Sequence, residues 1–309
     1  MAQPESTILL ASSNALTPLT VAEGRNLMKP KNRVSCHLIT WGQDLDTAIR
    51  EAHQLGFQAC ETFTHQAMEY EDRVQEFEAK LREGDLMLSA LYGGGRFSDP
   101  SKADQVVEYN TRVARFLNAM NVDRIVFGPG GPREDKTGAD GLKQMAKTID
   151  EAAKRTADLG VLACVHPHLG TELQDRDELD AVMEMTNPDY VFFCPDTAHL
   201  TAAGMDAAEV IRTYGSRMRY MHIKDLTPQD PDPEAFKHFQ GTEALPIFCE
   251  LGLGTIDFGP IMQAIEDVGY TDWITVEIDV STSTPYESLR QCRDFVQNEL
   301  GLSVRFSEA

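Results

Sequence analysis

The chain has 309 residues, 42% hydrophobic and 25% charged, and a formal net charge of −21. That length suits a single α/β barrel domain of about 250 residues. The negative field excludes nucleic acid and anionic membrane surfaces as partners unless a local basic patch meets them, and the densest basic cluster is only Lys29, Lys31 and Arg33.

Residues 1–32 read as an N-terminal extension and 33–309 as the folded domain. Within the extension, Ile8-Leu9-Leu10-Ala11 is too short to span a membrane, and no basic residue precedes it as a secretory signal requires. From Val34 onward, short β-branched or aromatic runs alternate with amphipathic segments, the pattern of repeated βα units. The predicted strands are Val34–Trp41, Gln58–Phe63, Leu86–Tyr92, Arg124–Phe127, Val161–His166, Tyr190–Cys194, Met218–Ile223 and Trp273–Ile278. The predicted helices are Leu45–Leu55, Tyr70–Arg82, Ala103–Met120, Asp140–Leu159, Glu178–Thr186, Asp206–Tyr214, Gly259–Val268 and Pro285–Glu299. Glycines at 56, 160 and 269 punctuate helix-to-strand boundaries, where a left-handed residue ends a helix. Eight such units predict a single (β/α)8 barrel. The connection from Leu226 to Phe258 greatly exceeds the usual 2–6 residues of a βα loop and reads as a lid over the barrel mouth.

Six cysteines, at 36, 60, 164, 194, 249 and 292, include no C-x-x-C pair and lie mostly in apolar runs, the usage of a reduced, cytoplasmic chain. Apolar helices on the outer ring leave room for a homo-oligomer.

In a parallel barrel the chemistry sits at the carboxyl ends of the strands. Period-two alternation puts His166 and His168 on one face of the fifth strand. The sixth strand ends at Asp196, the seventh carries His222 and Lys224, and the eighth carries Glu277. Four neighbouring strands thus bring imidazoles and carboxylates to one mouth, a donor set suited to Mn²⁺, Zn²⁺, Fe²⁺, Co²⁺ or Ni²⁺. With no thiolate among them, an open catalytic site fits better than a closed structural zinc.

The strings CPDTAHL, MHIKD, LGLGTIDF and WITVEID resemble the xylose-isomerase-like barrel superfamily in its sugar phosphate isomerase/epimerase branch. HPHLGTEL at His166–Leu173, followed by CPDTAHLTAAG and MHIKD, is similar to the inosose (2-keto-myo-inositol) dehydratases. The resemblance runs from about Val34 to the C-terminus. It implies one divalent ion, Mn²⁺ first, with Zn²⁺, Co²⁺, Mg²⁺ and Fe²⁺ as alternatives, held by a strand-five Glu, a strand-six Asp, a strand-seven His and a strand-eight Glu. Carried onto this chain, three of these are Asp196, His222 and Glu277; His166 stands where the Glu is commoner. Glu172, beyond the strand end, is the weaker stand-in. His199 matches a position that contacts substrate oxygens.

These readings predict a metal-dependent isomerase or epimerase of carbohydrate metabolism that acts on a keto-sugar or related polyol. It would abstract the proton next to a carbonyl and form a metal-stabilised enediolate. His168 and Glu61 are the candidate bases, with Glu277 serving both metal and catalysis, and His199, Lys224 and Trp41 are candidate substrate contacts. A lyase, either an inosose-type dehydratase or a β-eliminase of a keto-glycoside, is the first alternative, although Asp279–Pro285 departs from the dehydratase pattern. A non-catalytic sugar-binding barrel is the second. A DNA-repair barrel is disfavoured by the charge and by the lack of ligands for a metal cluster. Gly252 and Gly254, or Gly93-Gly94-Gly95-Arg96, have the composition of a phosphate-binding turn. Both read better as tight turns, and the acidity of the chain favours a neutral substrate.

Overall fold

The computed structural model describes residues 32–239 and 244–306; the remainder of the predicted N-terminal extension lies outside them. Eight parallel strands form the main sheet: β1 (Arg33–His37), β2 (Ala59–Phe63), β3 (Met87–Gly95), β4 (Arg124–Pro129), β5 (Leu162–Val165), β6 (Val191–Phe193), β7 (His222–Ile223) and β10 (Trp273–Val276). They are ordered β6-β5-β4-β3-β2-β1-β10-β7. Parallel bridges Phe193–Met218 and Asp196–His222 join the two ends of that order. The His222 amide donates to the Pro195 carbonyl at 2.9 Å and that of Arg219 to Phe193 at 3.2 Å, so the sheet closes into the predicted barrel. The seventh strand is shorter than predicted. Its partner across the closure is Pro195, which has no N–H to give to a ladder.

Two layers of apolar residues flank the strands. The larger lies between strands and helices, and the smaller fills the barrel from Ala59, Ala90, Val126, Cys164, Phe192, Cys194, Tyr220 and Trp273. Inward and outward residues alternate along each strand, as the pleat demands. The C-terminal segment covers the barrel's amino end, where Phe306 meets Trp273 at 5.8 Å between ring centroids. Among the described residues, no helix is long and apolar enough to cross a membrane.

The helices follow the predicted pattern, with three local differences. The first strand stops at His37, whose Nδ1 accepts the amide of Ile39 at 3.0 Å; that bond turns Leu38–Trp41 into a 3-10 helix. The second predicted helix starts later, as Val74–Glu83, and a separate short helix, Thr64–Met68, precedes it. An unpredicted helix, Thr197–Ala202, starts because the Asp196 carboxylate accepts the amides of Ala198 and His199, both at 2.8 Å. The long connection after β7 is tied down by a small antiparallel ribbon, β8 (Asp225–Leu226) with β9 (Phe248–Cys249). Gly94 and Gly95 belong to β3 and are not the predicted turn; a Cβ on Gly94 would lie 2.2 Å from the Gly128 carbonyl, so β3 and β4 approach there as only glycine permits.

Candidate metal centre and its surroundings

The inward alternation continues past the paired part of each strand. On β5 it runs from Cys164 to His166, on β6 from Cys194 to Asp196, on β7 from Tyr220 through His222 to Lys224, and on β10 from Thr275 to Glu277 and Asp279. On β1 and β2 it delivers His37 and Glu61. His166, Asp196, His222, Lys224, Glu61, His37 and Glu277 are all buried.

Asp196, His222 and Glu277 each offer one ligand atom, all within 4.8 Å of one another, and His166 makes a similar group with Asp196 and His199. Five atoms of His166, Asp196, His222 and Glu277 have no hydrogen-bond partner, namely both ring nitrogens of His166, Asp196 Oδ2, His222 Nδ1 and Glu277 Oε2, and neither have His37 Nε2 and Glu61 Oε1 beside them. His222 Nδ1 and Glu277 Oε2 approach to 2.8 Å, but without the alignment of a hydrogen bond. A buried polar atom left unmatched costs roughly 1–3 kcal/mol, so these mark a place built for a ligand, which one nitrogen of His166 can share with Asp196 Oδ2, His222 Nδ1 and Glu277 Oε2. Two imidazoles and two carboxylates fit a divalent ion of the Mn²⁺ or Zn²⁺ kind.

Electrostatics agree. Asp196, Glu277 and Asp279 converge on Lys224, whose Nζ lies 2.7 Å from Asp279, 3.1 Å from Glu277 and 3.9 Å from Asp196. Burial opposes the charge on Lys224, yet these carboxylates outweigh it and raise its pKa. Burial raises Asp196 to about 6, against the pull of Lys224. For Glu277, Lys224 and His222 overcome burial and hold it well below the usual carboxylate range. Burial opposes the proton on His222 as well, but Glu61 and Glu277 dominate and raise it. An excess of buried negative charge is what a dication would balance.

His222 Nε2 lies 2.7 Å from Glu61 Oε2. With Nε2–H donating to Glu61, a dication that displaced the Nδ1 proton would find that nitrogen oriented as a ligand, the carboxylate–imidazole arrangement of metal sites. Glu61 is therefore engaged by His222 through one oxygen. Glu172 is turned away from the mouth: its carboxylate accepts the amide of Phe97 at 2.7 Å and the hydroxyl of Ser98.

His168 and His199 stack with ring centroids 3.8 Å apart, and Leu169 bonds to both. His168 Nδ1 lies 2.8 Å from the Leu169 carbonyl, which can only accept, so that nitrogen carries the proton and Nε2 the lone pair. The Leu169 amide donates to His199 Nδ1 at 3.2 Å, so neutral His199 carries its proton on Nε2. Burial and then Lys224 lower both imidazoles. His199 Nε2 stands 3.4 Å from Lys224 Nζ, which leaves two donors facing one another. Phe248 of β9 covers them, 4.6 Å from the His199 ring and 4.9 Å from Lys224 Nζ.

Trp41 donates its indole N–H to Glu51 at 2.7 Å; among the described residues no hydrogen bond or ring contact joins it to this group. Residues not singled out from the sequence complete the wall. Tyr92 lies 5.5 Å from the His166 ring and 6.2 Å from that of His222, and His37 lies 6.2 Å from His222. Alternation from Ser35 and Ala90 was the available signal for both.

This chain belongs to the xylose isomerase-like TIM barrel family, whose model matches residues 49–298. Within it, the chain is 30% identical over 167 residues to the inosose dehydratase of Lacticaseibacillus casei, a match covering 53% of this chain and 56% of that one. It is 26% identical over 268 residues to the inosose dehydratase of Geobacillus kaustophilus (strain HTA426), covering 81% and 86%. The chain thus spans a little over half the length of the first relative and most of the second. Its fold is similar to the crystal structure of the IolI protein with a bound zinc atom, with a TM-score of 0.71 at 16% identity, covering 86% of this chain and 97% of that one.

Proposed function

We propose that this chain is a divalent-metal-dependent enzyme that removes the proton next to the carbonyl of an unphosphorylated keto-sugar or related polyol. The observation that carries the reading is the pair of opposite tautomers fixed by Leu169 beside a buried set of unmatched metal-type donors. Asp196, His222, Glu277 and His166 would hold the ion. Once bound, the ion supplies Lewis-acid stabilisation of the negative charge that develops on the substrate oxygens.

The remaining work falls to the side chains. His168 is kept neutral by burial and by Lys224, with the lone pair on Nε2, so it is the base that takes the α-proton. Lys224 Nζ and His199 Nε2–H are two donors without an acceptor between them, and a substrate oxygen seated there satisfies both. Glu61 keeps His222 in the tautomer that leaves Nδ1 free. Phe248 limits water at the donor pair.

Two outcomes share this first step. In an isomerase or epimerase the proton returns to carbon. In a lyase the electron pair of the broken C–H bond forms a C=C bond, and a β-hydroxyl leaves as water with a proton from the donor pair. A donor pair able to protonate a departing hydroxyl suits the second outcome, and similarity to inosose dehydratases supports it.

The test is incubation of Mn²⁺-loaded protein with 2-keto-myo-inositol and with ketohexoses in D₂O, followed by NMR and mass spectrometry. Loss of water identifies elimination; deuterium in a product of unchanged composition identifies isomerisation or epimerisation. Absence of exchange with every substrate, together with no thermal stabilisation by Mn²⁺, overturns the enzyme reading in favour of a sugar-binding barrel.

A further inference from the structure

Cys194 follows the same inward alternation as the metal-type donors but lies one step deeper, beneath Asp196 at the end of β6, and the chemistry above makes no use of it. Register places it beside His166. Cys164 pairs with Phe192 and Val165 with Phe193, the Cys194 amide donates to the Val165 carbonyl at 2.8 Å, and the residue after Val165 is His166. His222 stands close by, its ring centroid 4.8 Å from that of His166. One nitrogen of His166, one of His222 and the Cys194 Sγ all lie within 4.8 Å of one another, and all three residues are fully buried. Among the described residues no other cysteine enters such a group. A buried cysteine by itself packs as a small apolar group, and Cys194 does help to fill the barrel. What sets it apart is His166, whose ring nitrogens are both buried without a hydrogen-bond partner and so point to a ligand that the thiol can reach as well.

Two overlapping donor groups of different chemistry result. Asp196, His222 and Glu277 offer two carboxylates and an imidazole, whereas His166, Cys194 and His222 offer two imidazoles and a sulfur. Carboxylate oxygens suit Mn²⁺ and Mg²⁺, while a thiolate selects thiophilic ions such as Zn²⁺ and the still softer Cd²⁺. Both groups draw on His222, whose Nε2 is held by Glu61, so Nδ1 is the nitrogen open to an ion in either. One lone pair serves one ion. We propose that His166, Cys194 and His222 form a second metal position, selective for thiophilic divalent ions, and that an ion seated there excludes the catalytic ion and inhibits the enzyme. On binding, the Cys194 S–H bond breaks and a sulfur–metal bond forms. The thiol proton and any proton on His222 Nδ1 leave to solvent, and no electron changes hands. The exclusion rests on the reading that His222 helps to hold the catalytic ion; the thiolate position itself does not.

The test titrates metal-free wild type, Cys194→Ser and Cys194→Ala with Cd²⁺ and follows the thiolate-to-Cd²⁺ charge-transfer absorption in the ultraviolet. The titration is repeated on Mn²⁺-loaded protein while free Mn²⁺ is followed by electron paramagnetic resonance. Wild type should gain the band saturably with a single Cd²⁺ per chain and release its Mn²⁺ in step. Both variants should lose the band and bind Cd²⁺ at least about tenfold more weakly, with Mn²⁺ affinity within about twofold of wild type. No band in the wild type, or an equal band in Cys194→Ser, overturns the proposal. The first of these results needs no variant, so a variant that fails to fold does not shield the proposal. Wild type that gains the band yet keeps its Mn²⁺ overturns the exclusion. Wild type that gains the band but never takes up Mn²⁺ defeats the catalytic-metal reading instead and upholds the thiolate position.

Discussion

Glu61→Gln replaces one carboxylate oxygen by an amide at the group that faces His222 Nε2, 2.7 Å away, and changes little else in size. The charged bond that fixes the imidazole becomes a neutral one, roughly half as strong. Partners of this kind, one step removed from a metal, typically contribute 10–100-fold to its affinity, or about 1.4–2.7 kcal/mol. Mn²⁺ dissociation constants for wild type and Glu61→Gln, obtained by competition with a fluorescent chelator, should differ by that factor. At saturating Mn²⁺ the variant should keep kcat within a few-fold of wild type, because in the proposed mechanism His168 carries the proton. A general base would behave differently, since its loss costs roughly 10²–10⁴-fold even in the fully loaded enzyme. Unchanged Mn²⁺ affinity would refute the orienting role, and a hundredfold fall in saturated kcat would make Glu61 the base.

Lys224→Met strands Glu277 and Asp279 without their cation and should cost about 3–5 kcal/mol by urea denaturation; an unchanged midpoint would show that another group neutralises them. Phe248→Ala removes the ring over Lys224 and His199 and should lower kcat/KM by about tenfold, the scale of a desolvated cation–π contact, with little change in metal affinity. Burial raises the Cys60 thiol from 9.0 to about 12. Between those pH values the unfolded chain binds fewer protons than the folded one, so stability is intact below pH 9 and falls as pH rises toward 12, by roughly 1.4 kcal/mol per pH unit for this group. Cys60→Ala should flatten the alkaline limb of a pH–stability curve measured by denaturant midpoint; equal slopes in the two proteins would contradict this account.

The barrel and the convergence of the donor set were legible because both depend on period-two alternation, which the sequence displays directly. The spacing Cys164-His166 and Tyr220-His222-Lys224 already states which side chains share a face. Local events that depend on a side chain bonding its own backbone were less visible. His37 ends β1 by accepting the Ile39 amide, and Asp196 starts a helix by accepting two amides; neither act leaves a mark on the hydropathy pattern. Pairings across the fold were not legible either. That Glu61 would meet His222, or Glu172 the Phe97 amide, is fixed by barrel curvature and loop course. The amides of Gly252 and Gly254 were read as candidate phosphate donors, and only the fold reveals that Asp225 already accepts from both.

The position of His166 gains meaning from the charges around it. The family resemblance leads one to expect a carboxylate there, and an imidazole subtracts one negative charge from the donor set. Burial, with His222 and His168 adding to it, lowers its pKa well below the ordinary value, so it is a neutral nitrogen donor at neutral pH. Glu61, Asp196, Glu277 and Asp279 together with Lys224 still leave the site strongly negative. A carboxylate at position 166 would add a further buried anion with no extra lysine to meet it, and an isolated buried charge is costly. In this reading the histidine spares a chain with Glu61 behind His222 and Asp279 beside Lys224 one further buried negative charge around the dication. His166→Glu is then expected to bind Mn²⁺ no tighter than wild type, despite the added charge, and to be less stable without it. Chelator competition and denaturation of the metal-free variant measure the two quantities, and tighter binding with undiminished metal-free stability would show that the charge balance argued here is wrong.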